Sequence, residues 1–401
     1  MTLRAFISGI FLCSISFFNP AFADIVANGS EQQVNQNSSG NQYFPKSSAD
    51  ANGNYIVSYN ESLGGLNNAY INLYNSSGTL LTQMTFNGGS SSFGVNDVAM
   101  NQYGQFAAVF TDADNAYVQL FNADTSPRFG QFIRLNSDQN LRYFGDSIAI
   151  NDSGDVTVTW RGQNRTQYKI DLFARQLQFA GYWVSPQLKL SNEPSTGIIY
   201  QLSDVAMQNN GDFVLAWSGL ASNKMRVYKK DFYRGGAVKR SSRKVYDTTS
   251  VHVQGSVEVA MNQANGDYYL TWSQLNTGYG AGNYWRVFTR KYRASGSSTG
   301  GLIQVNQATS MWQPNFNSLF DDNGLLVTWS SYLTSDYDIY ARAFNLDGSE
   351  QSSTIQLNNY TNRNQDFPQV IRLNGNNIVV SWVSYEQDGD SNGIFSRAFI
   401  D

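Results

Sequence analysis

The sequence predicts an all-β protein made of seven copies of a four-stranded antiparallel unit that close into a ring. Three observations lead to this prediction. A glycine turn followed by an apolar run and a final aromatic residue recurs seven times, and further strand-like runs surround each copy. The last copy lacks its fourth run, and an unassigned run of the same kind lies near the start of the chain. Together these features describe a seven-bladed β-propeller.

The glycine turn is the clearest part of the repeat. It reads NGNYIVSY at Asn52–Tyr59 and NGDFVLAW at Asn210–Trp217, and successive turn glycines are 51, 50, 57, 55, 58 and 51 residues apart. Asn-Gly and Ser-Gly pairs supply the positive φ that a tight hairpin needs. One aromatic residue ends the run in every copy, and we expect these residues to pack between neighbouring blades: Tyr59, Phe110, Trp160, Trp217, Trp272, Trp329 and Trp382.

The flanking segments also repeat. An apolar stretch such as Asp97–Met100 (DVAM) precedes the turn, and runs such as Tyr70–Asn75 (YINLYN) and Ile303–Asn306 (IQVN) follow it. Runs of four to eight residues, rich in β-branched and aromatic side chains and bounded by turn residues, are typical of strands. No segment keeps a 3.6-residue apolar period, so we expect almost no helix.

The two ends of the repeated region predict how the ring closes. The last copy stops after its third strand, at Arg397–Ile400, whereas Glu31–Gln36 (EQQVNQ) resembles a fourth strand without a blade. We therefore expect this N-terminal strand to complete the last blade, which would leave no open seam.

The first residues resemble a secretory signal peptide. A short cationic start precedes the apolar stretch Ala5–Phe18, and Ala21–Ala23 provides a small-x-small cleavage site. We expect residues 1–23 to be removed, residues 24–401 to form one propeller domain, and the protein to be periplasmic or secreted. A formal net charge of −4 offers no basic surface for nucleic acid, and no later stretch is long and apolar enough to span a membrane.

The last two copies show the fullest version of the repeat. The sixth carries Gln313-Pro314, Trp329, Arg342, Phe344 and Gly348, and the seventh carries Phe367-Pro368, Trp382, Arg397 and Phe399. On these residues the chain resembles propeller repeats of secreted bacterial surface proteins of the adhesin type. The resemblance implies an architecture and leaves the activity open, because propellers carry many unrelated functions.

Long and variable loops are expected on one face of the ring. In blades with alternating strands a, b, c and d, the b–c and d–a connections share a face, and variable loops on a rigid scaffold usually carry function. A bulky ring residue precedes most inner strands, and some of these should line the mouth of the channel: Phe44, Phe93, Phe144, Tyr200, Trp312 and Phe367, with His252 near that place in blade 5.

Aromatic residues mixed with planar polar groups are typical of sugar recognition. We therefore expect a non-enzymatic, lectin-like protein that binds a glycan or surface polymer through this face. The candidate ligand-binding residues are Arg142, Tyr143, Arg165, Tyr279, Tyr284, Trp285, Trp312 and Tyr337.

Two alternatives remain open. One is a polysaccharide lyase, with His252, Tyr200 and Arg142 as catalytic residues, or a glycoside hydrolase. Hydrolysis would need paired carboxylates, and acids near the inner strands are Asp146, Asp204, Glu258 and Asp366. The other alternative is a periplasmic scaffold with a protein partner. A single histidine excludes a zinc site built from two or three histidines of one chain.

No cofactor is expected apart from a structural calcium ion. Alternating carboxylates in two loops have the chemistry that calcium prefers, although neither loop has EF-hand spacing. The residues concerned are Asp336, Asp338, Asp388 and Asp390.

Overall fold

A computed structural model describes residues 25–88, 93–137, 141–164, 170–190, 203–221, 224–245, 253–277, 283–306, 314–332 and 336–401. These residues form seven antiparallel sheets, and none of them is helical. Accordingly, no helix in the described ranges could cross a membrane. The prediction of an all-β, seven-bladed propeller is confirmed. The expected signal peptide, residues 1–23, lies outside the described residues.

Each blade is one sheet whose strands follow the chain from the inside outwards, in the order a, b, c, d. Blade 1 contains β3 (Asn41–Ala49), β4 (Tyr55–Leu63), β5 (Leu66–Tyr74) and β6 (Leu80–Asn87). Blade 2 contains β7 (Gly94–Met100), β8 (Phe106–Asp112), β9 (Asn115–Phe121) and β10 (Ile133–Arg134). Blade 3 contains β11 (Leu141–Ile150), β12 (Asp155–Asn164), β13 (Ile170–Gln178) and β14 (Leu188–Lys189).

The remaining blades follow the same plan. Blade 4 contains β15 (Ser203–Met207), β16 (Phe213–Ala221), β17 (Lys224–Phe232) and β18 (Val238–Lys244). Blade 5 contains β19 (Val253–Met261), β20 (Tyr268–Thr277), β21 (Asn283–Tyr292) and β22 (Ser298–Gln304). Blade 6 contains β23 (Phe316–Asp321), β24 (Gly324–Tyr332), β25 (Tyr337–Phe344) and β26 (Ile355–Gln356). Blade 7 contains β27 (Gln365–Arg372), β28 (Asn377–Tyr385) and β29 (Asn392–Ile400), with β1 (Val26–Ala27) and β2 (Gln32–Gln33).

The a strands surround a central channel, since each lies beside the a strands of both neighbouring blades. Tight a–b turns connect them to the b strands. All seven turn glycines have positive φ, as the turn requires: Gly53, Gly104, Gly154, Gly211, Gly266, Gly324 and Gly375.

The N-terminal strand completes blade 7, as the sequence predicts. Strand β2 pairs with β29 through Gln32 and Ser396, and β1 extends the pairing through Val26 and Ile400. Strand β2 lies within the predicted segment Glu31–Gln36, whereas the pairing of β1 was not predicted. Strands β1 and β2 therefore pair with the outer edge of β29 between Phe395 and Ile400.

The hydrophobic core lies between the blades. Seven clusters of buried apolar residues occur in the described chain, and each draws on two adjacent blades. Trp160 of blade 3, for example, packs with Val109 and Val118 of blade 2 and stacks on Phe173 with a centroid separation of 5.9 Å. The repeated aromatic residues are at most 3% exposed. Their predicted position in the inter-blade core is confirmed.

Candidate functional site at the mouth of the central channel

Each a strand places one polar side chain at the same level of the channel. In the second, fourth and fifth blades the position immediately precedes the apolar run of the strand, as Asp97 precedes Val98 in DVAM. Because side chains alternate along a strand, the following residues Val98 and Val205 turn into inter-blade clusters instead. The seven polar residues, here called the channel ring, are Lys46, Asp97, Ser147, Asp204, Glu258, Asn317 and Gln369.

The channel ring ties neighbouring blades together. Side-chain oxygens of ring residues accept backbone N–H groups from the next inner strand: Ile148 N–H to Asp97 Oδ2 (3.0 Å), Val259 N–H to Asp204 Oδ2 (2.6 Å) and Val370 N–H to Asn317 Oδ1 (2.8 Å). Ser147 Oγ donates to Asp204 Oδ1 at 2.6 Å. These contacts show a structural role for Asp97 and Asp204 that the sequence does not reveal.

One ammonium and three carboxylates of the ring face each other across the channel. Burial raises the pKa of Asp97 to about 6 and that of Glu258 to about 8, and the charge of Lys46 only partly opposes this. Burial also raises the pKa of Asp204. For Lys46, burial alone would lower the pKa, but the carboxylates of the three acids outweigh it and raise the pKa above its ordinary value.

A cavity of about 580 Å³ opens at the mouth of the channel, on the face of the b–c and d–a loops. Its floor includes Lys46, Asp204 and Glu258, and we call it the mouth cavity. Four aromatic rings predicted to lie near the mouth do line it: Phe44, Phe93, Phe144 and Phe367. The space therefore combines aromatic walls with a charged floor.

At two of these aromatic residues the backbone is strained, and its conformation sets the direction of the side chain. Phe44 and Phe367 have φ of 53° and 54°, in the left-handed region, and each precedes a proline. In both strands the register shifts at this point, so a bulge interrupts the ladder. A bulge re-aims a side chain, and here the two rings meet edge to face at 5.1 Å.

A cationic wall stands on blade 3. Arg161 lies directly opposite Phe144 in the β11–β12 ladder, and Arg142 lies two residues before Phe144 on β11. Their guanidinium carbons are 5.7 Å and 4.9 Å from the centre of the Phe144 ring. Arg161 forms an ion pair with the fully buried Asp146 at 2.5 Å, and Asp146 also accepts Ser203 Oγ at 2.8 Å. The side chain of Arg142 is 44% exposed. Arg142 is thus the more accessible cation of this wall.

The predicted ligand-binding residues occupy different environments. Arg142 lines the mouth cavity. Tyr143 is 2% exposed and belongs to an inter-blade core cluster, so its ring has no open face on which a sugar could stack. Tyr284, Trp285 and Tyr337 are half-buried and are not among the described residues that line the cavity. Five candidates lie outside the described residues: Arg165, Tyr200, His252, Tyr279 and Trp312.

The candidate calcium ligands are engaged in local hydrogen bonds. Asn358 Nδ2 donates to Asp338 at 2.7 Å, Asn35 Nδ2 donates to Asp388 at 2.9 Å, and the backbone N–H of Gly40 donates to Asp390. Asp336 lies near Asp338 and raises its pKa further, after the larger effect of burial. Across the described ranges, no three acidic, histidine or cysteine side chains are grouped to hold a metal.

The structure also shows where the four acids that were considered for hydrolysis lie. Asp146, Asp204 and Glu258 line the mouth cavity, whereas Asp366 accepts a hydrogen bond from Asn315 Nδ2 at 3.0 Å. Lys46 was missed as a candidate. Its signal was present, because Lys46 occupies in the first copy the position that an acid occupies in DVAM and EVAM.

The comparisons with known proteins support the fold. No protein-family model matches the chain, and no curated protein matches it in sequence. An ulvan lyase of polysaccharide lyase family 25 is similar in structure, with a TM-score of 0.55, 12% identity, and coverage of 93% of this chain and 94% of that one.

Two further structures give a comparable result. The same type of ulvan lyase bound to a GlcA(1-4)Rha3S saccharide has a TM-score of 0.53 at 12% identity, with coverage of 93% and 94%. A protein of unknown function from Dyadobacter fermentans has a TM-score of 0.54 at 12% identity, with coverage of 92% and 98%. At such identity the similarity extends to the propeller fold, and an adhesin-type family is not shown.

Proposed function

We propose that this protein binds glycans at the mouth cavity without cleaving them, and that it works outside the cytoplasm. The observation that carries the proposal is the combination of aromatic walls and a polar, charged floor in one concave space. Pyranose rings present apolar C–H faces and a belt of hydroxyls. Phe44 and Phe367 offer the apolar surface, while Lys46 and Glu258 offer hydrogen-bonding groups.

The size of the cavity fits this class of ligand. Its volume of about 580 Å³ lies within the range of roughly 300–1,000 Å³ that is usual for small-molecule sites. Two structures with the same fold are ulvan lyases, one of them bound to a saccharide. This precedent supports a glycan as the kind of ligand and leaves its identity to experiment.

The test is a glycan array followed by affinity electrophoresis with the mature chain. We expect binding that falls at least tenfold in Phe367→Ala and Arg142→Ala, because each variant removes part of the cavity wall. Tyr103→Ala is the control, since Tyr103 is 62% exposed in an a–b turn on the opposite face. Absence of binding, or equal binding by all variants, would contradict the proposal.

A second candidate is enzymatic cleavage of the bound glycan. The observation that favours it is the raised pKa of Glu258, about 8, which keeps this carboxyl protonated at neutral pH inside the cavity. Such a group can act as a general acid. Release of reducing sugars by the parent protein but not by Glu258→Gln would indicate hydrolysis. Release of unsaturated products by the parent protein but not by His252→Ala would indicate a lyase.

The third alternative, a scaffold for a protein partner, predicts a broad exposed apolar patch rather than a pit. The candidate site is concave and has a charged floor. This geometry favours a glycan over a protein surface.

A further inference from the structure

The floor of the mouth cavity holds the ammonium group of Lys46. Lys46 faces the carboxylates of Asp97, Asp204 and Glu258, and these charges raise its pKa. Yet within the described part of the chain no carboxylate oxygen of these three acids lies within 4.0 Å of Lys46 Nζ, the distance of an ion pair. A gap therefore separates the positive group from the negative groups.

Hydroxyl groups are suited to fill such a gap. A hydroxyl donates one hydrogen bond and accepts others, so it can donate to a carboxylate while it accepts from an ammonium. Two neighbouring hydroxyls of one sugar residue would bridge Lys46 to Glu258 and Asp204. Neither a purely acidic nor a purely basic ligand group would satisfy both sides.

The charge of the floor argues for a neutral sugar residue. Two acids that line the cavity, Asp204 and Glu258, lie there with one ammonium, Lys46, and Asp97 of the channel ring also faces that ammonium. A uronate placed on the floor would add a negative charge beside Asp204 and Glu258, and like charges in a site of low dielectric repel strongly or force one of the acids to stay protonated.

The shape of the cavity restricts how a polymer can enter. All seven blades contribute described residues to its wall, so the cavity is enclosed around the axis of the ring. An internal segment of a polysaccharide needs an open groove with two exits. A chain end needs only one opening.

We infer that the mouth cavity takes the end of a glycan chain and that Lys46, Glu258 and Asp204 bind the hydroxyls of its neutral terminal residue. This inference rests on the proposed function and adds to it the mode of binding. Lys46 and Glu258 are then specificity-determining residues, and the aromatic rings above them hold the next sugar residues.

The experiment compares intact polymers with their fragments. Laminarin, xylan, arabinan and mannan are each offered to the mature protein as the polymer and as a partial hydrolysate of equal mass, and binding is measured by calorimetry. We expect the binding capacity per gram to rise in proportion to the number of chain ends. Capacity that follows mass and is independent of chain ends would overturn the inference while leaving the proposed function intact.

Variants of the ring provide the second readout. Lys46→Met keeps the length of the side chain and should weaken binding at least about tenfold, the loss expected for a charged hydrogen bond. Lys230→Met is the matched control, because it makes the same substitution on β17 at a residue that does not line the mouth cavity. Equal weakening by both variants would overturn the assignment of Lys46. If none of the four polymers or hydrolysates binds, the inference of a neutral terminal residue is wrong, whereas the proposed function fails only if the glycan array also shows no binding.

Discussion

Asn35 Oδ1 accepts a hydrogen bond from the backbone N–H of Ile394 at 2.8 Å, although the two residues are 359 positions apart. Within other blades an asparagine at the end of strand d makes the same contact with strand c, as Asn306 does with Val287 at 2.6 Å. Asn35 therefore behaves as the strand-d asparagine of blade 7. This equivalence shows that the N-terminal segment is an integral part of the last blade.

The first prediction follows from this contact. Asn35→Ala should lower the free energy of unfolding by about 1–3 kcal/mol, because it leaves a buried N–H without an acceptor. Gln36→Ala, one residue further on and exposed, is the control. Chemical denaturation of both variants provides the measurement. Deletion of Glu31–Gln36 should lower the melting temperature further, and an unchanged curve would show that the strand does not close the ring.

The second prediction concerns the inter-blade core. Trp160→Ala should cost about 3–5 kcal/mol of stability, as truncation of a buried aromatic residue usually does. Trp160 is fully buried between blades 2 and 3. Urea denaturation measures the effect, with the exposed Tyr103→Ala as the reference. Full stability of the tryptophan variant together with loss of binding would favour a ligand platform instead.

The third prediction concerns pH. Since the folded protein raises the pKa of Glu258 from 4.5 to about 8, the favourable contribution of its protonated form is complete below pH 4.5 and is lost as pH rises through 8. The Glu258→Gln variant cannot ionise there. Its stability relative to the parent should therefore increase between pH 5 and pH 8.5. Parallel stability curves for the two proteins would contradict the raised pKa.

The fourth prediction separates the two arginines of the cationic wall. Arg161→Met should destabilise the fold by about 3–5 kcal/mol, because it leaves the buried carboxylate of Asp146 without its partner. Arg142→Ala should change stability by less than about 0.5 kcal/mol, since its side chain is half exposed. Thermal melts and binding assays on both variants test this contrast. A large loss of stability in Arg142→Ala would make Arg142 a structural residue.

The fifth prediction concerns export. If residues 1–23 are a signal peptide, protein recovered from the periplasm or the medium should begin at Asp24, after cleavage behind Ala23. Mass spectrometry of the intact mature chain measures this. Recovery of a cytoplasmic protein that retains residues 1–23 would overturn the proposed localisation.

The sequence was sufficient for the fold because every blade repeats the same local code of turn glycine, apolar run and aromatic residue. The site was harder to predict, because it depends on which direction each side chain of a strand faces. Arg142, Tyr143 and Phe144 are consecutive, yet within β11 the first and the third line the cavity and the second is buried in the core. Tyr143 was expected to contact a ligand on the loop face, but the alternation of side chains along β11 turns its ring into the core.

The channel ring is a second part of the site that the sequence alone does not predict. DVAM and EVAM mark Asp97, Asp204 and Glu258 as charged residues at the start of apolar runs, but their meeting around one axis follows from ring closure and not from any local pattern. Lys46 is their counterpart in the first copy, since it precedes its turn glycine Gly53 by the same seven residues that separate Asp97 from Gly104.

The seven inter-blade clusters have a consequence for how the chain can be divided. Because each cluster combines residues of two neighbouring blades, no single blade contains a complete core, and a fragment of a few blades would expose an incomplete cluster at each end. The chain therefore contains seven sequence repeats that fold together as one unit. A circular permutation, in which the chain is cut at a loop and its natural ends are joined, preserves every cluster. Removal of one blade destroys two clusters and brings together two blade surfaces that are not complementary.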